Sequence, residues 1–271
     1  FNLNLLFCNK YNYYKYFKNK YYCPLTITKN NLFYYKNFSN KIKNSNFYIK
    51  PSDGSCGISI KITKDPMSYI KKNKDFIAQK EIPINIFRER KWDVRIYIIH
   101  QIVNGNFFTY LYKDGVLRLA PEKYCRKNNN FRSLVTNTSL LRYDDNFEDL
   151  NFPFYTHPEY NFYFIKILKV VTNIHKYIKA KFVIKRNRYL SEFQLLGYDF
   201  IFSKNKSPYL LEVNYCPNAI SENNSKSVTE MKLKMYKNIY LKFIKTPIIN
   251  FKKYNLFKSD NLINDNFIDI N

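Results

Sequence analysis

The chain has 271 residues, 45% of them hydrophobic and 24% charged, a balance that can bury one sizeable core or two modest lobes and excludes disorder as the default. Lys and Arg number 45 against 21 acidic residues, a formal charge of +24 that points to polyanionic partners such as nucleic acid, acidic protein tails or anionic membrane. Thirty-six Lys sit among 36 Asn, 26 Tyr and 24 Phe, residue types of A/T-rich codons, so the charge by itself does not establish a partner.

Residues 1–46 read as a basic lead-in, rich in Lys, Asn and Tyr. Through residue 52 there are nine Lys and no acid, with aromatic residues interleaved from Tyr11 to Tyr22 in the manner of single-strand binders, although no nucleic-acid motif supports that use. From Phe47 the pattern changes to short strands. Phe47 to Ile49 and Ile58 to Ile62 flank a loop, Pro51 to Gly57, and Phe76 to Lys80 is a further strand. The run Val94 to Val103 ends in Asn104-Gly105 and resumes at Phe107 to Tyr112, which predicts a hairpin; Lys113-Asp114-Gly115 predicts a second turn. Thr156-His157-Pro158-Glu159 has the form of a capping box, and Ile165, Leu168, Val171, Ile174 and Ile178 follow at helical spacing. Between Glu159 and Glu192 there are eight Lys or Arg and no acid. Leu195 to Phe202 and Tyr209 to Val213 predict a hairpin around Ser203 to Lys206, and Val228, Met231, Met235, Ile239 and Phe243 mark a last amphipathic helix. The sum is an α+β protein with a mainly antiparallel sheet flanked by helices.

No run approaches the roughly 18 to 20 apolar residues that span a bilayer, because Lys or Asn interrupts each candidate. Cys8, Cys23, Cys56, Cys125 and Cys216 are odd in number and never in CxxC spacing, against a disulfide scaffold or structural zinc and in favour of a reducing, cytoplasmic compartment. The chain opens on Phe1 without a signal-peptide pattern, and we expect a piece of a longer protein. His100, His157 and His175 show neither triad nor metal-pair spacing and read as structural.

The informative positions are polar residues inside apolar strands, since burial without a partner is costly. Period-two alternation puts Glu212 and Asn214 on one face of their strand, and pairing with the neighbouring strand brings Asp199 to them. Three oxygen donors suit a hard cation, Mg²⁺ most simply; a salt-bridged sheet end is the other reading. Asp93 and Arg95 share the polar side of another strand, and Lys50 and Lys80 end strands where a positive charge can meet phosphates.

These pieces occur in one fixed order: Tyr48-Ile49-Lys50-Pro51-Ser52-Asp53-Gly54, Gln79-Lys80-Glu81-Ile82, Lys91-Trp92-Asp93-Val94-Arg95, Gly115-Val116-Leu117-Arg118, Glu122-Lys123-Tyr124, Thr136-Asn137, Phe193 to Phe200 and Leu211-Glu212-Val213-Asn214. The series resembles the tubulin tyrosine ligase-like family, whose core is an ATP-grasp fold with its nucleotide site between two lobes. The resemblance implies a ligase core at 47–245, followed by a tail at 246–271. It further implies an ATP- and Mg²⁺-dependent carboxylate–amine ligase of the cytoplasm and cytoskeleton, acting on acidic tubulin tails with a free amino acid and through an acyl phosphate. Matched position by position, Lys50 contacts the ATP phosphates, and Gln79, Lys80, Glu81 and Ile82 form the adenine segment. Lys91, Asp93, Thr136 and Asn137 reach the nucleotide, Arg95 and Arg118 handle the acceptor carboxylate or amino acid, and Asp199, Glu212 and Asn214 hold Mg²⁺. The family's phosphate-covering loop has Lys or Arg before its last Gly, where this chain has Cys56 before Gly57. Gln194, where glutamylases tend to have Glu, favours tyrosine as the added amino acid over glutamate or glycine. The alternatives are a catalytically weak or silent tubulin or microtubule binder of the same fold, and a nucleic-acid binder using residues 1–52.

Overall fold

The structure, a computed structural model, describes residues 8–36, 45–53, 60–73, 75–125, 131–136, 150–181, 191–215, 217, 220, 224–245 and 266–270. The predicted positions Cys56, Gly57 and Asn137 lie outside the described residues. The chain divides into two compact units. Unit 1 comprises Phe1–Arg95, Arg118–Leu150 and Tyr198–Tyr215; unit 2 comprises Ile96–Leu117, Asn151–Gly197 and Cys216–Asn271.

In unit 1 a four-stranded antiparallel sheet forms from β1 (Thr26–Ile27), β2 (Phe47–Pro51), β3 (Lys61–Thr63) and β4 (Phe76–Lys80), in the order β1-β4-β2-β3. Alternation along β2 sends Phe47 and Ile49 into a core with Ile27, Ile70 and Ala78, and leaves Tyr48 and Lys50 on the opposite face. The helix that supplies Ile70 (Pro66–Lys72) starts where the Asp65 carboxylate accepts from Ser68 N at 3.1 Å, with Pro66 in its first turn.

The lead-in differs from its sequence reading across residues 8–36. A first helix, α1 (Lys10–Phe17), is capped by Asn9, whose side chain accepts from Asn12 N at 2.9 Å. Tyr13, Phe17 and Tyr22 are buried; the Tyr13 hydroxyl donates to Leu210 O at 3.0 Å, and Leu210 N donates to Tyr22 O at 2.9 Å. These rings are core, so they offer no stacking platform for bases. Composition could not show this, because interleaved Tyr and Phe suit a base-binding surface and a helical core face equally.

A second sheet comprises β5 (Ile86–Phe87), β6 (Arg90–Val103), β7 (Asn106–Lys123), β8 (Asn151–Pro153), β9 (Ser191–Phe202), β10 (Pro208–Asn214) and β11 (Phe267–Ile270), in the order β10-β9-β6-β7-β11, with β5 on β6 and β8 on β7. The hairpin predicted at Asn104-Gly105 is present, both residues at positive φ (50° and 76°), as a two-residue turn of that hand requires. The hairpin from β9 to β10 turns through Ser203 to Ser207. No turn occurs at Lys113 to Gly115: β7 runs straight through. Its ladder with β11 runs from Thr109 to Tyr112, Lys113 N donates to Asn266 O at 2.7 Å, and the Asp114 carboxylate accepts from Gly115 N at 2.7 Å and Tyr155 N at 3.1 Å instead of closing a turn.

Unit 2 packs Tyr97, Ile99, Tyr112 and Val116 against Val228, Met231, Met235 and Ile239 of the last helix (Lys226–Ile239), the stripe read from spacing. The long helix of unit 2 (Tyr160–Lys181) begins without the expected capping box. Thr156 Oγ1 donates to Pro153 O at 2.8 Å and His157 Nδ1 accepts from Glu159 N at 3.0 Å, so a short 3₁₀ turn precedes it. Its buried face carries Tyr163, Phe164, Ile167, Val170, Val171, Ile174, His175 and Ile178, while Ile165 is 52% exposed; the two aromatic residues bury more area and set the rotation of the helix.

His100 is buried in unit 2, and burial, with His175 beside it, pushes its imidazole down to about 3 from an ordinary 6.5. A folded value below the unfolded one means that its share of stability is present above pH 6.5 and is lost as pH falls toward 3. Urea unfolding should show about 2 kcal/mol of acid destabilisation between pH 7 and pH 5 that His100→Gln removes. An unchanged pH difference in the variant contradicts this.

Candidate active site

The second-sheet strands deliver their polar faces to one cleft in unit 1, lined among others by Lys10, Tyr48, Lys50, Gln79, Lys80, Glu81, Ile82, Lys91, Asp93, Arg118, Thr136, Asp199 and Glu212. At its centre is the buried carboxylate of Asp199 on β9. Arg95 from β6 grips it with two parallel bonds, Nε to Oδ1 at 2.8 Å and Nη2 to Oδ2 at 2.7 Å, and Arg118 from β7 adds Nη2 to Oδ2 at 3.1 Å. Arg118 also donates through Nε to Asp93 Oδ1 at 2.6 Å, and the Thr136 hydroxyl donates to Asp93 Oδ2. Burial alone raises a carboxyl's pKa, but Arg118 and Arg95 outweigh it and hold Asp199 well below the usual carboxylate range. Burial likewise opposes the charge on Arg118, and Asp199 and Asp93 more than restore it.

Beside this network, Asn214 Nδ2 donates to Asp199 Oδ2 at 3.2 Å and to Glu212 Oε1 at 3.4 Å, so the three residues expected to converge do lie together. Among the described residues no three His, Cys, Asp or Glu side chains group as for a metal; here the third donor is an amide. The set fits a hard cation. Asp199 Oδ1 accepts from Arg95 Nε and keeps a second lone pair, Glu212 is partly exposed, and a half-turn of the Asn214 amide presents its oxygen.

Lys50 stands on the cleft face of β2, its Nζ donating to Gln79 Oε1 on β4 at 2.7 Å, a diagonal cross-strand contact. Burial pushes it down to about 8, with Glu212 pulling upward. Lys91 is pushed to about 8 as well, by burial against the pull of Asp93; its Nζ lies 3.2 Å from the Tyr48 hydroxyl and 4.6 Å from that ring's centroid. Lys80, Glu81 and Ile82 follow at the end of β4, with Glu81 Oε2 accepting from Asn46 at 3.1 Å.

Two polar cleft residues were not identified from sequence. Lys10, 7% exposed, reaches from α1 to Glu212 at 3.4 Å; the signal was there in Asn9 as a cap and Tyr13, Tyr14 and Phe17 at helical spacing behind it. Tyr48 was marked by sharing the polar face of β2 with Lys50.

A family model described as the tubulin-tyrosine ligase family matches residues 8–252. Among curated relatives, tubulin polyglutamylase TTLL6 of Mus musculus is 26% identical over 66% of this chain and 25% of its own length. Tubulin polyglutamylase TTLL7 of Xenopus tropicalis is 25% identical over 68% and 23%. The probable tubulin polyglutamylase TTLL2 of Homo sapiens is 30% identical over 65% and 32%. The chain thus spans about a quarter to a third of the length of these relatives.

The ion network should behave as one unit, because removing one member leaves a buried charge uncompensated. Arg118→Met is expected to cost about 3 to 5 kcal/mol in urea unfolding. Lys123→Met, which opens the fully exposed pair with Glu89, is expected to leave the midpoint unchanged.

Proposed function

The chain belongs to the tubulin-tyrosine ligase family, and from that premise we propose that it is an ATP- and Mg²⁺-dependent carboxylate–amine ligase. Its acceptor is a carboxylate in the acidic C-terminal tail of tubulin. The observation that carries this reading is the convergence, in one cleft, of Asp199 and Glu212, joined by the Asn214 amide, with the cations Lys10, Lys50, Lys91 and Arg118. Such a cleft suits a substrate that brings several negative charges and a divalent ion.

Each residue has a derived role. Lys50 and Lys80 neutralise phosphate charge while the tail carboxylate oxygen attacks the terminal phosphorus of ATP, giving an acyl phosphate and ADP. Asp199, Glu212 and Asn214 would hold Mg²⁺, which would supply positive charge to neutralise the phosphates. Gln79 to Ile82 border the adenine, and Thr136 with Asp93 keeps Arg118 in place. The amino group of the incoming amino acid then attacks the acyl carbon, phosphate leaves, and an amide bond remains. Arg118 or Arg95 faces the oxyanion of the tetrahedral intermediate. No nucleophilic Ser or Cys is required.

We propose glutamate as the added amino acid, in place of the tyrosine suggested by Gln194. Support comes from the three relatives described above, each bearing a polyglutamylase name. The proposed core is extended to 8–245 from 47–245, supported by the contact of Lys10 with Glu212 and by the packing of α1. The proposed setting is cytoplasmic and cytoskeletal; among the described residues no helix is long and apolar enough to cross a membrane.

Incubation with tubulin, Mg·ATP and glutamate, tyrosine or glycine, followed by mass spectrometry of tail peptides, should show added glutamate, and none with Glu212→Gln. Incorporation that survives Glu212→Gln sinks the metal assignment, and microtubule co-sedimentation without nucleotide binding selects the silent binder. ATP affinity by calorimetry should fall as pH rises through about 8, where Lys50 and Lys91 lose their charge. Lys50→Met should weaken it at least about tenfold and flatten that dependence.

A further inference from the structure

A second concave site lies in unit 2, at the C-terminal half of the long helix Tyr160–Lys181, called α5 with the short helices Leu32–Lys36, Pro66–Lys72 and Phe131–Leu134 counted as α2 to α4. Its lining is Thr172, His175, Lys176, Lys179 and Ala180 of α5 with Ile270 of β11, and it shares no residue with the cleft of unit 1.

His175 makes this groove more than a charged surface. It is 2% exposed, its ring is stacked on Phe107 with centroids 5.4 Å apart, and its Nδ1 lies 3.0 Å from Thr109 Oγ1. The same hydroxyl lies 2.9 Å from His100 Nδ1. A hydroxyl has one proton, so Thr109 donates to one ring and accepts from the other. In the direction His100 to Thr109 to His175, the Nδ1 of His175 accepts and its own proton sits on Nε2. That direction gives the His175 ring, which lines the groove, an N–H to offer a ligand.

The surroundings select what that donor meets. Helix α5 carries Lys166, Lys169, Lys176, Lys179 and Lys181 and no acidic residue. Lys169, Lys176 and Lys179 lie on its exposed stripe, spanning about 15 Å along the axis, the length of four to five extended peptide residues. A carboxylate accepts from one imidazole N–H and two ammonium groups at once, while Ile270 and Ala180 offer an apolar wall to the methylenes that carry it. We propose that this groove is a docking site for a glutamate-rich peptide, one carboxylate seated on His175 and its neighbours paired along Lys169, Lys176 and Lys179. The identity of the peptide as a tubulin tail rests on the proposed function; the site itself does not.

The test uses a fluorescein-labelled peptide of ten glutamates and fluorescence anisotropy. The double variant Lys176→Glu with Lys179→Glu should bind at least about tenfold more weakly, while Lys18→Glu with Lys71→Glu, an equal change of charge in unit 1, should stay within about twofold. In protein carrying ¹⁵N-labelled histidine, the Nε2 resonance of His175 should shift on peptide addition. Equal weakening by the two charge-reversed pairs, or an unmoved His175 signal, overturns the site. A labelled ten-nucleotide RNA that binds more tightly than the peptide and is lost in the Lys176/Lys179 variant overturns the peptide class. Glu212→Gln should abolish ligation and keep peptide binding; loss of both places the peptide in the cleft and overturns the groove. Peptide binding by a wild-type chain that incorporates no amino acid leaves the groove standing and refutes the ligase reading instead.

Discussion

The grip of two guanidinium groups on the Asp199 carboxylate is the constraint around which unit 1 is arranged. A carboxylate this deeply buried is unfavourable unless its charge is matched and its lone pairs are satisfied. Arg95 matches its plane with a bidentate contact, and Arg118 divides its guanidinium between Asp199 and Asp93. Meeting that requirement fixes where β6, β7 and β9 sit side by side, since each contributes one partner. It also aligns the polar face of all three strands toward the same cleft.

The remaining polar residues of the cleft follow from sheet geometry. A strand that buries alternate residues must present the others to the opposite side. On β2 the core takes Phe47 and Ile49, and the cleft receives Tyr48 and Lys50. Lys50 and Lys91 are stripped of water there, which weakens their hold on a proton, yet each is held in place by an uncharged neighbour, Gln79 for one and Tyr48 for the other. Neutral partners keep the two ammonium groups positioned without cancelling their charge, so the charge is left for a phosphate-bearing ligand.

Local pattern made much of this legible. Asn104-Gly105, the run Phe76 to Lys80 and the stripe from Val228 to Phe243 have signals that act within a turn or a strand, and the structure carries them where the residues put them. Patterns with a competing partner failed. Lys113-Asp114-Gly115 has turn chemistry, but Asn266 O and the amide of Tyr155 claim those groups; Thr156 has a capping hydroxyl, but it donates to Pro153 O instead. Residues 8–36 are not legible in this way, because composition cannot separate a base-stacking surface from a core face.

By itself the sequence determined the central strands and the two long helices, which side of those strands is polar, and a set of Asp, Glu, Asn, Lys and Arg suited to a phosphate-bearing, carboxylate-handling site. Those follow from periodicities of two and 3.6 residues, which need only neighbours along the chain. Only the tertiary structure decided which charges pair. Arg95 and Asp199 are 104 residues apart, and Asp93 and Arg118 are 25 apart; Lys10 reaches Glu212 from the far end of the chain. The register between distant strands sets those partners, and with them the difference between a solvated lysine and a buried one that gives up its proton near pH 8.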